Sequence, residues 1–139
     1  EELTAINQYF VHAEMCENWK YKKLHEIFFK RSIQEMKHAE KLIARILFLG
    51  GIPIVSELNK IHIGSEIEKM HQLDHAAEAA AIRGYNESIR IAVDVGDNGT
   101  RELLEAILVE EEEHIDLIES HMDQIAQMGF QNYLGEQIN

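Results

Sequence analysis

Apolar residues recur at every third or fourth position through four long stretches of the chain, the spacing of helices that bury one face. The first stretch predicts a helix, α1, over residues 1–21, with its end placed loosely near residues 20–23. A second helix, α2, is predicted to run from there to Leu49, where a Gly-Gly-x-Pro sequence stops it.

A connector of about fourteen residues, from Gly51 to Gly64, separates α2 from a third helix, α3. Ser65 and Glu68 form a capping-box signature at the start of α3, which we expect to end near Asp94. Antiparallel neighbours need only a few residues between them, whereas a crossover along a bundle needs a dozen or more. We therefore expect a crossover between α2 and α3.

A fourth helix, α4, is predicted from Thr100 as its N-cap to Met128, and a short fifth helix, α5, over residues 130–138. Aromatic residues are scarce and a single Pro is present, which suits helices rather than sheets. We predict an all-α fold with one domain over residues 1–139, in which an antiparallel four-helix bundle covers 1–128 and the fifth helix packs outside it.

Polar residues of metal-binding type interrupt the apolar faces at matching places in the two halves of the chain. Glu2, Glu35 and His38 recur as Glu78, Glu111 and His114, each 76 positions later (78 − 2, 111 − 35, 114 − 38). Residues three apart are neighbours on a helix surface, so each Glu-x-x-His pair lies on one face. Because α1 with α2 and α3 with α4 form equivalent hairpins, we expect the six side chains to converge with pseudo-twofold symmetry.

Four carboxylates are not buried together without cations, since isolating even one charge in the interior costs several kcal/mol. Two divalent ions would neutralise four glutamates. The two histidines would supply neutral nitrogen donors and leave coordination positions for water or dioxygen. The pattern therefore predicts a di-metal site in which all six residues are both metal ligands and catalytic.

Charge and cysteine content narrow the remaining classes of function. A formal net charge of −12 disfavours nucleic acid and anionic membrane surfaces as partners and favours cations. No apolar run approaches the length of a membrane span. The single cysteine, Cys16, excludes an internal disulfide and makes a reducing cytoplasm the expected location. The start at Glu1, without Met or a capping residue, suggests an incomplete N-terminus.

Other polar residues have more ordinary interpretations. Three acidic residues beside the α4 ligands are expected on a solvated helix face: Glu110, Glu112 and Glu113. Two histidines outside the repeat are expected to be hydrogen-bonded core residues: His71 and His121. Tyr9 and Tyr85 share the 76-residue offset, and we expect core packing, with donation to a ligand carboxylate as the alternative.

Four segments resemble the bacterioferritin family: AINQYF at 5–10, EMKHAE at 35–40, RILFL at 45–49 and MGFQNYL at 128–134. The resemblance covers essentially the whole chain and implies a ferritin-like bundle. It further implies an iron-storing ferroxidase in a closed homo-oligomeric cage of roughly two dozen subunits, with a ferredoxin-type reductase as a partner for iron release. Two ferrous ions would each give one electron to dioxygen or hydrogen peroxide. By position, Glu35 and Glu111 would bridge the irons, Glu2 and His38 would complete one, and Glu78 and His114 the other.

Bacterioferritins also bind a haem at the twofold interface between subunits, through one Met from each. Met36, within Glu-Met-Lys-His, matches that position, and its phase about 100° from Glu35 turns it away from the site. From the residues alone, a surface or interface Met is the alternative.

One departure concerns an accessory inner-surface iron site, formed by His and Asp in some bacterioferritins. The matching residues here are Lys30 and Gln34, neither a good iron ligand, so we expect no such site.

Three alternatives share parts of this pattern. A rubrerythrin-like peroxide reductase has the paired site but usually adds a Cys-rich iron domain. A manganese catalase or an Mn/Fe carboxylate oxidase uses similar ligands, because the same donors suit both metals. A haem-carrying electron-transfer or scaffold bundle would leave the paired site idle.

Overall fold

The computed structural model describes all 139 residues and contains five helices. Their bounds are Glu2–Asn18 for α1, Lys22–Phe48 for α2, Ile67–Asp94 for α3, Asn98–Met128 for α4 and Phe130–Gly135 for α5. The four long helices form a bundle in which α1 packs on α2 and α3 packs on α4, and α5 lies against α4. The predicted all-α bundle, with its long crossover and short fifth helix, is confirmed.

Backbone conformation stops each long helix close to where the sequence predicted. Gly50, Gly96 and Gly129 adopt positive φ values of 85°, 73° and 82° just beyond α2, α3 and α4. Only glycine adopts these angles without steric cost, which is why it terminates helices. The α1–α2 turn instead uses Lys20 at φ 67°, and Tyr21 N–H donates to the Cys16 carbonyl at 3.0 Å.

Two predicted helix starts and one predicted end are wrong. α3 begins at Ile67 after Glu66, which has an extended backbone, and no side chain caps it, so Ser65 and Glu68 do not form a capping box. The N-cap of α4 is Asp97, not Thr100, because Asp97 accepts from the Thr100 N–H at 3.1 Å and also pairs with Arg45 of α2. α5 ends at Gly135, short of the predicted residue 138.

Hydrogen bonds hold the crossover against α1, and close packing holds it against the start of α3. Gly64 N–H donates to His12 Nε2 at 3.0 Å, and a Cβ added at Gly64 would lie 2.6 Å from the Met70 nitrogen. Earlier in the connector, His62 N–H donates to Gln8 Oε1 at 3.2 Å. These contacts fix the chain up to Gly64 and so set the first residue of α3.

Apolar side chains form two buried clusters along the bundle. The larger, near α5, is Ala13, Cys16, Leu24, Phe28, Ile67, Met70, Ile125 and Tyr133. The smaller is Ala81, Tyr85, Leu104 and Ile107. Along α3 and α4 the polar residues of the 76-residue repeat fall between these clusters. The bundle interior is therefore apolar at both ends and charged in the middle.

Candidate metal centre

All six residues of the repeat lie in the bundle interior. Each of the four long helices contributes: Glu2 from α1, Glu35 and His38 from α2, Glu78 from α3, Glu111 and His114 from α4. None is more than 8% exposed. The apolar face of each helix carries these side chains inward, as the helical phase predicted.

The six side chains form two overlapping groups of potential metal donors. Glu2, Glu35, His38 and Glu111 make one group, and Glu35, Glu78, Glu111 and His114 make the other. Within each group the donor atoms lie within 4.8 Å of one another. Glu35 and Glu111 belong to both groups. The arrangement therefore offers two adjacent cation positions that share two carboxylates.

Several donor atoms in this centre are buried without a hydrogen-bond partner. They are Glu2 Oε2, Glu35 Oε1, Glu78 Oε2, Glu111 Oε1 and His114 Nδ1. An unpaired buried polar atom costs about 1–3 kcal/mol, more when charged, so native proteins rarely leave one. Five together, drawn from five of the six repeat residues, fit a centre whose donors are completed by cations.

Two tyrosines donate hydrogen bonds to Glu2 and Glu78. These are the outer carboxylates of the centre, because each belongs to only one of the two groups. Tyr9 donates from its hydroxyl to Glu78 Oε1 at 2.5 Å, and Tyr85 donates to Glu2 Oε1. Both tyrosines are buried. Both hydroxyls therefore donate to carboxylates of the repeat, which was the alternative to simple core packing.

The surroundings of the centre raise the pKa of three of its six residues. Burial raises the pKa of Glu35 and of Glu111, and the neighbouring Glu2 and Glu78 raise them further. Burial alone would lower the pKa of His38, but the adjacent carboxylates of Glu111, Glu2 and Glu35 reverse that and raise it. A raised pKa means that a group holds its proton more strongly, so a cation binding here would compete with protons.

The outer nitrogens of both imidazoles are also hydrogen-bonded. His38 Nε2 lies 2.6 Å from Glu110 Oε2, and His114 Nε2 lies 2.7 Å from Gln34 Oε1. Gln34 Nε2 donates to the same Glu110 oxygen at 3.1 Å. The prediction that Glu110 belongs to a purely solvated face is wrong, because it is partly buried against His38, whereas Glu112 and Glu113 are exposed as predicted.

A second buried polar cluster was not predicted from the sequence. Asp74 accepts from Gln8 Nε2 at 2.8 Å and lies 3.0 Å from His12 Nδ1 and 3.4 Å from Arg31 Nη1. Arg31 packs over the ring of Tyr9, whose hydroxyl reaches the centre. Helical periodicity alone does not pair these side chains, because they come from three different helices.

The remaining histidines of interest are core residues, as predicted. His71 Nε2 and His121 Nδ1 lie 2.8 Å and 2.7 Å from the same Tyr133 hydroxyl of α5. Burial, together with the neighbouring His121 and Arg31, lowers the pKa of His71 to about 3. His71 is therefore neutral and serves to anchor α5 to the bundle.

Met36 and Lys30 lie on the outside of the bundle. Met36 is 50% exposed although it adjoins the buried Glu35, as its helical phase predicted. Lys30 is exposed, and the Gln34 amide is used by His114 and Glu110. No helix in the structure has both the length and the apolar character that a membrane span requires.

Comparison with known proteins shows which family has this sequence and architecture. The model of the ferritin-like domain family matches residues 1–128. A bacterioferritin of Brucella melitensis biotype 1 is 36% identical over 132 residues, which cover 95% of this chain and 82% of the relative. One of Streptomyces coelicolor is 38% identical over 133 residues, covering 96% and 80%, and one of Mycobacterium leprae is 36% identical over 132 residues, covering 95% and 83%. The chain that carries this paired carboxylate and imidazole centre belongs to the ferritin family and, within it, to the bacterioferritins.

Proposed function

We propose that this protein stores iron and acts as a ferroxidase, which oxidises Fe(II) to Fe(III) with dioxygen or hydrogen peroxide at the paired centre. The observation that carries the proposal is the set of five unpaired buried donor atoms within two overlapping four-residue groups. Five of the seven buried side-chain atoms without a hydrogen-bond partner lie in this centre, and bound cations would give these five their partners. Membership in the bacterioferritins supports iron as the metal.

The donor set suits two ferrous ions as substrates. Four carboxylates carry four negative charges when ionised, which two divalent cations neutralise. Carboxylate oxygens and imidazole nitrogens suit iron and manganese, and each His has its Nδ1 directed at the carboxylates. In this proposal Glu35 and Glu111 hold both ions, Glu2 and His38 hold one, and Glu78 and His114 the other.

The chain positions two one-electron donors for one two-electron reduction. Bound iron supplies the electrons: two Fe(II), one O2 and two protons give two Fe(III) and one H2O2, and peroxide as oxidant takes two electrons and two protons to water. Holding both ions in one pocket makes the two transfers effectively intramolecular. Tyr9 and Tyr85 fix the outer carboxylates, so the ions are bound in a defined geometry.

A cavity beside the centre offers a route for reactants. It measures about 450 Å³ and lies between α1, α3 and the crossover. Glu2, Glu35 and Glu111 line it on one side, and Ala76, Ala77 and Ala80 of α3 on another. Small side chains on α3 keep the passage open, and the carboxylates attract cations into it.

We further propose assembly into a cage of roughly two dozen copies, closed by point-group symmetry. Large apolar side chains are exposed at the end of α2 and in the crossover: Leu47, Phe48, Leu49, Ile52, Ile54 and Val55. Contiguous exposed apolar surface marks protein contacts. A cage gives the oxidised iron an enclosed volume, and a ferredoxin-type reductase would return it as Fe(II). A cytoplasmic location stays a prediction.

Haem is the second cofactor of this proposal. Met36 presents a thioether at the surface of α2, a donor that haem iron accepts. The proposal places haem between two copies, where Met36 from each would hold it. Bound haem supplies an electron-transfer group, and Met36 does no chemistry of its own at the paired centre.

Aerobic oxidation and storage test the function together. The parent protein is given successive additions of Fe(II), and the Fe(III) absorbance, the oxygen consumed and the native mass are recorded. We expect rapid oxidation of the first two ions per chain, and a particle far larger than a dimer that retains many more. A His114→Ala protein that oxidises iron as fast as the parent, or a particle no larger than a dimer, would contradict the proposal.

A further inference from the structure

We propose that Gln34 and Glu110 are positioning residues that join the imidazoles of His38 and His114 and make the two metal positions unequal. The proposal rests on the proposed function, because it concerns the metals that these imidazoles bind. The two residues are themselves 76 positions apart, so they extend the repeat of the six ligands by one further pair. Their chemistry differs between the halves, since one is an amide and the other a carboxylate.

The four side chains form one continuous hydrogen-bonded bridge on the outer side of the centre. Glu110 Oε2 lies 2.6 Å from His38 Nε2 and accepts from Gln34 Nε2 at 3.1 Å. The other end of the Gln34 amide, Oε1, lies 2.7 Å from His114 Nε2. The bridge therefore runs from His38 through Glu110 and Gln34 to His114.

The bridge fixes which way each group faces. The Gln34 amide presents its NH2 group to the Glu110 carboxylate oxygen and its own oxygen, which can only accept, to His114. His114 must then donate from Nε2, and its Nδ1 is left as the nitrogen available to a metal. That atom lies 3.0 Å from Glu35 Oε1 and 3.3 Å from Glu78 Oε1, inside the centre. His38 is oriented in the same way by Glu110.

The two imidazoles nevertheless have unequal support. His38 donates to a carboxylate, and such charge-assisted hydrogen bonds are about twice as strong as neutral ones. A carboxylate behind a ligand histidine also raises its basicity as a metal donor. His114 donates only to a neutral amide. The metal held by Glu2 and His38 should therefore bind more tightly than the metal held by Glu78 and His114, although the six ligands are symmetric.

Anaerobic titration with Co(II) tests this asymmetry without turnover. Visible absorption of bound Co(II) gives the two stepwise dissociation constants of the full-length protein. Glu110→Gln keeps an acceptor but removes the charge, and we expect it to weaken the tighter step about 10- to 100-fold and bring the two constants together. Gln34→Leu removes the acceptor of His114, and we expect it to weaken the second step by a similar factor and separate them further.

Glu112→Gln is the matched control, because it removes the same charge from an exposed residue of the same helix turn. It should leave both constants within about twofold of the parent, since a distant surface charge is screened. The opposite directions expected for Glu110→Gln and Gln34→Leu would not arise from a general loss of structure or of negative charge.

NMR spectroscopy gives a second measurement, which detects the hydrogen bonds of the bridge directly. In the Zn(II)-loaded protein labelled with 15N at histidine, the Nε2–H protons of His38 and His114 should both be protected from solvent, with that of His38 further downfield. Gln34→Leu should broaden the His114 signal and leave that of His38. If the parent binds two Co(II) but neither variant changes a constant, the bridge has no positioning role. If the parent binds no metal, the proposed function fails with it.

Discussion

Tyr9 of α1 donates its hydroxyl proton to Glu78 of α3 at 2.5 Å, so a residue of one helical hairpin orients a carboxylate of the other. The reverse contact also exists, because Tyr85 of α3 donates to Glu2 of α1. Each outer carboxylate of the centre is thus held from the opposite half of the chain. The two halves cannot move apart without releasing both carboxylates, which couples the packing of the bundle to the geometry of the centre.

Replacing Tyr9 by Phe removes this donor while keeping the ring in the core. We expect Tyr9→Phe to weaken binding of the metal held by Glu78 about tenfold or more, because hydrogen-bonded partners of metal ligands contribute that much to affinity. Anaerobic Co(II) titration gives the constant. Tyr21→Phe is the control, since Tyr21 lies in the α1–α2 turn away from the centre. Equal constants for Tyr9→Phe and the parent would show that the hydrogen bond has no effect on the metal.

Metal binding should release protons and strengthen as pH rises. Burial and neighbouring carboxylates raise the pKa of Glu35 and Glu111, and hydrogen bonds to carboxylates raise that of His38 despite its burial. These groups hold protons below their raised pKa values, so a metal competes with protons throughout the neutral range and binds better at higher pH.

Calorimetry in buffers of different ionisation enthalpy measures this release directly. We expect net protons to be released at neutral pH, and affinity to rise by about tenfold per pH unit for each proton displaced. The pH dependence should extend well above the ordinary pKa of histidine. An affinity that is constant from neutral to mildly alkaline pH would contradict this distribution of protons.

The buried cluster around Asp74 should matter for stability. Asp74→Ala leaves the Arg31 guanidinium buried without its carboxylate, and removing one partner of a buried ion pair costs about 3–5 kcal/mol. Urea unfolding of the metal-free protein, at one protein concentration, gives the difference from the parent. Asp94→Ala is the control, because Asp94 and Arg90 form an exposed pair worth about 0–1 kcal/mol. If both variants lose a similar free energy of unfolding, the buried Asp74–Arg31 pair contributes no more to stability than the exposed pair, which would contradict this prediction.

Met36→Leu separates the haem proposal from the paired centre. We expect the variant to lose haem, because leucine has no donor atom, and to oxidise iron at a rate close to that of the parent. The haem absorbance per chain after expression with added haem precursor is the measurement. Met128→Leu serves as the control, because Met128 is another partly exposed Met and lies at the C-terminal end of α4. Full haem content in Met36→Leu would rule out Met36 as the ligand.

The sequence predicted the part of the site that depends on helical phase. The 76-residue repeat identified six side chains that the structure brings together, because residues on one helix face share a fixed geometry. It did not predict the contacts made between helices. Glu110 looked like part of an acidic surface, and only the position of α2 shows that His38 lies beside it. The Asp74 cluster was missed for the same reason.

The helix boundaries also depend on contacts between helices, which the sequence did not predict. Asp97 and Thr100 are both good capping residues, so local preference alone did not choose between them. Arg45 of α2 binds Asp97 at 3.0 Å and Thr100 at 3.0 Å, and this contact holds Asp97 as the cap. At the start of α3, the bond from Gly64 to His12 fixes the chain instead of the predicted capping box. Tertiary contacts decided both boundaries.

Anaerobic titration of the metal-free protein with Fe(II), followed by Mössbauer spectroscopy of the bound 57Fe, counts the ions that the paired centre holds. We expect saturation at two ions per chain, in two distinguishable environments, with His114→Ala losing the ion held by Glu78 and His114. Saturation at fewer than two ions, or a His114→Ala protein that binds both ions as the parent does, would contradict this prediction.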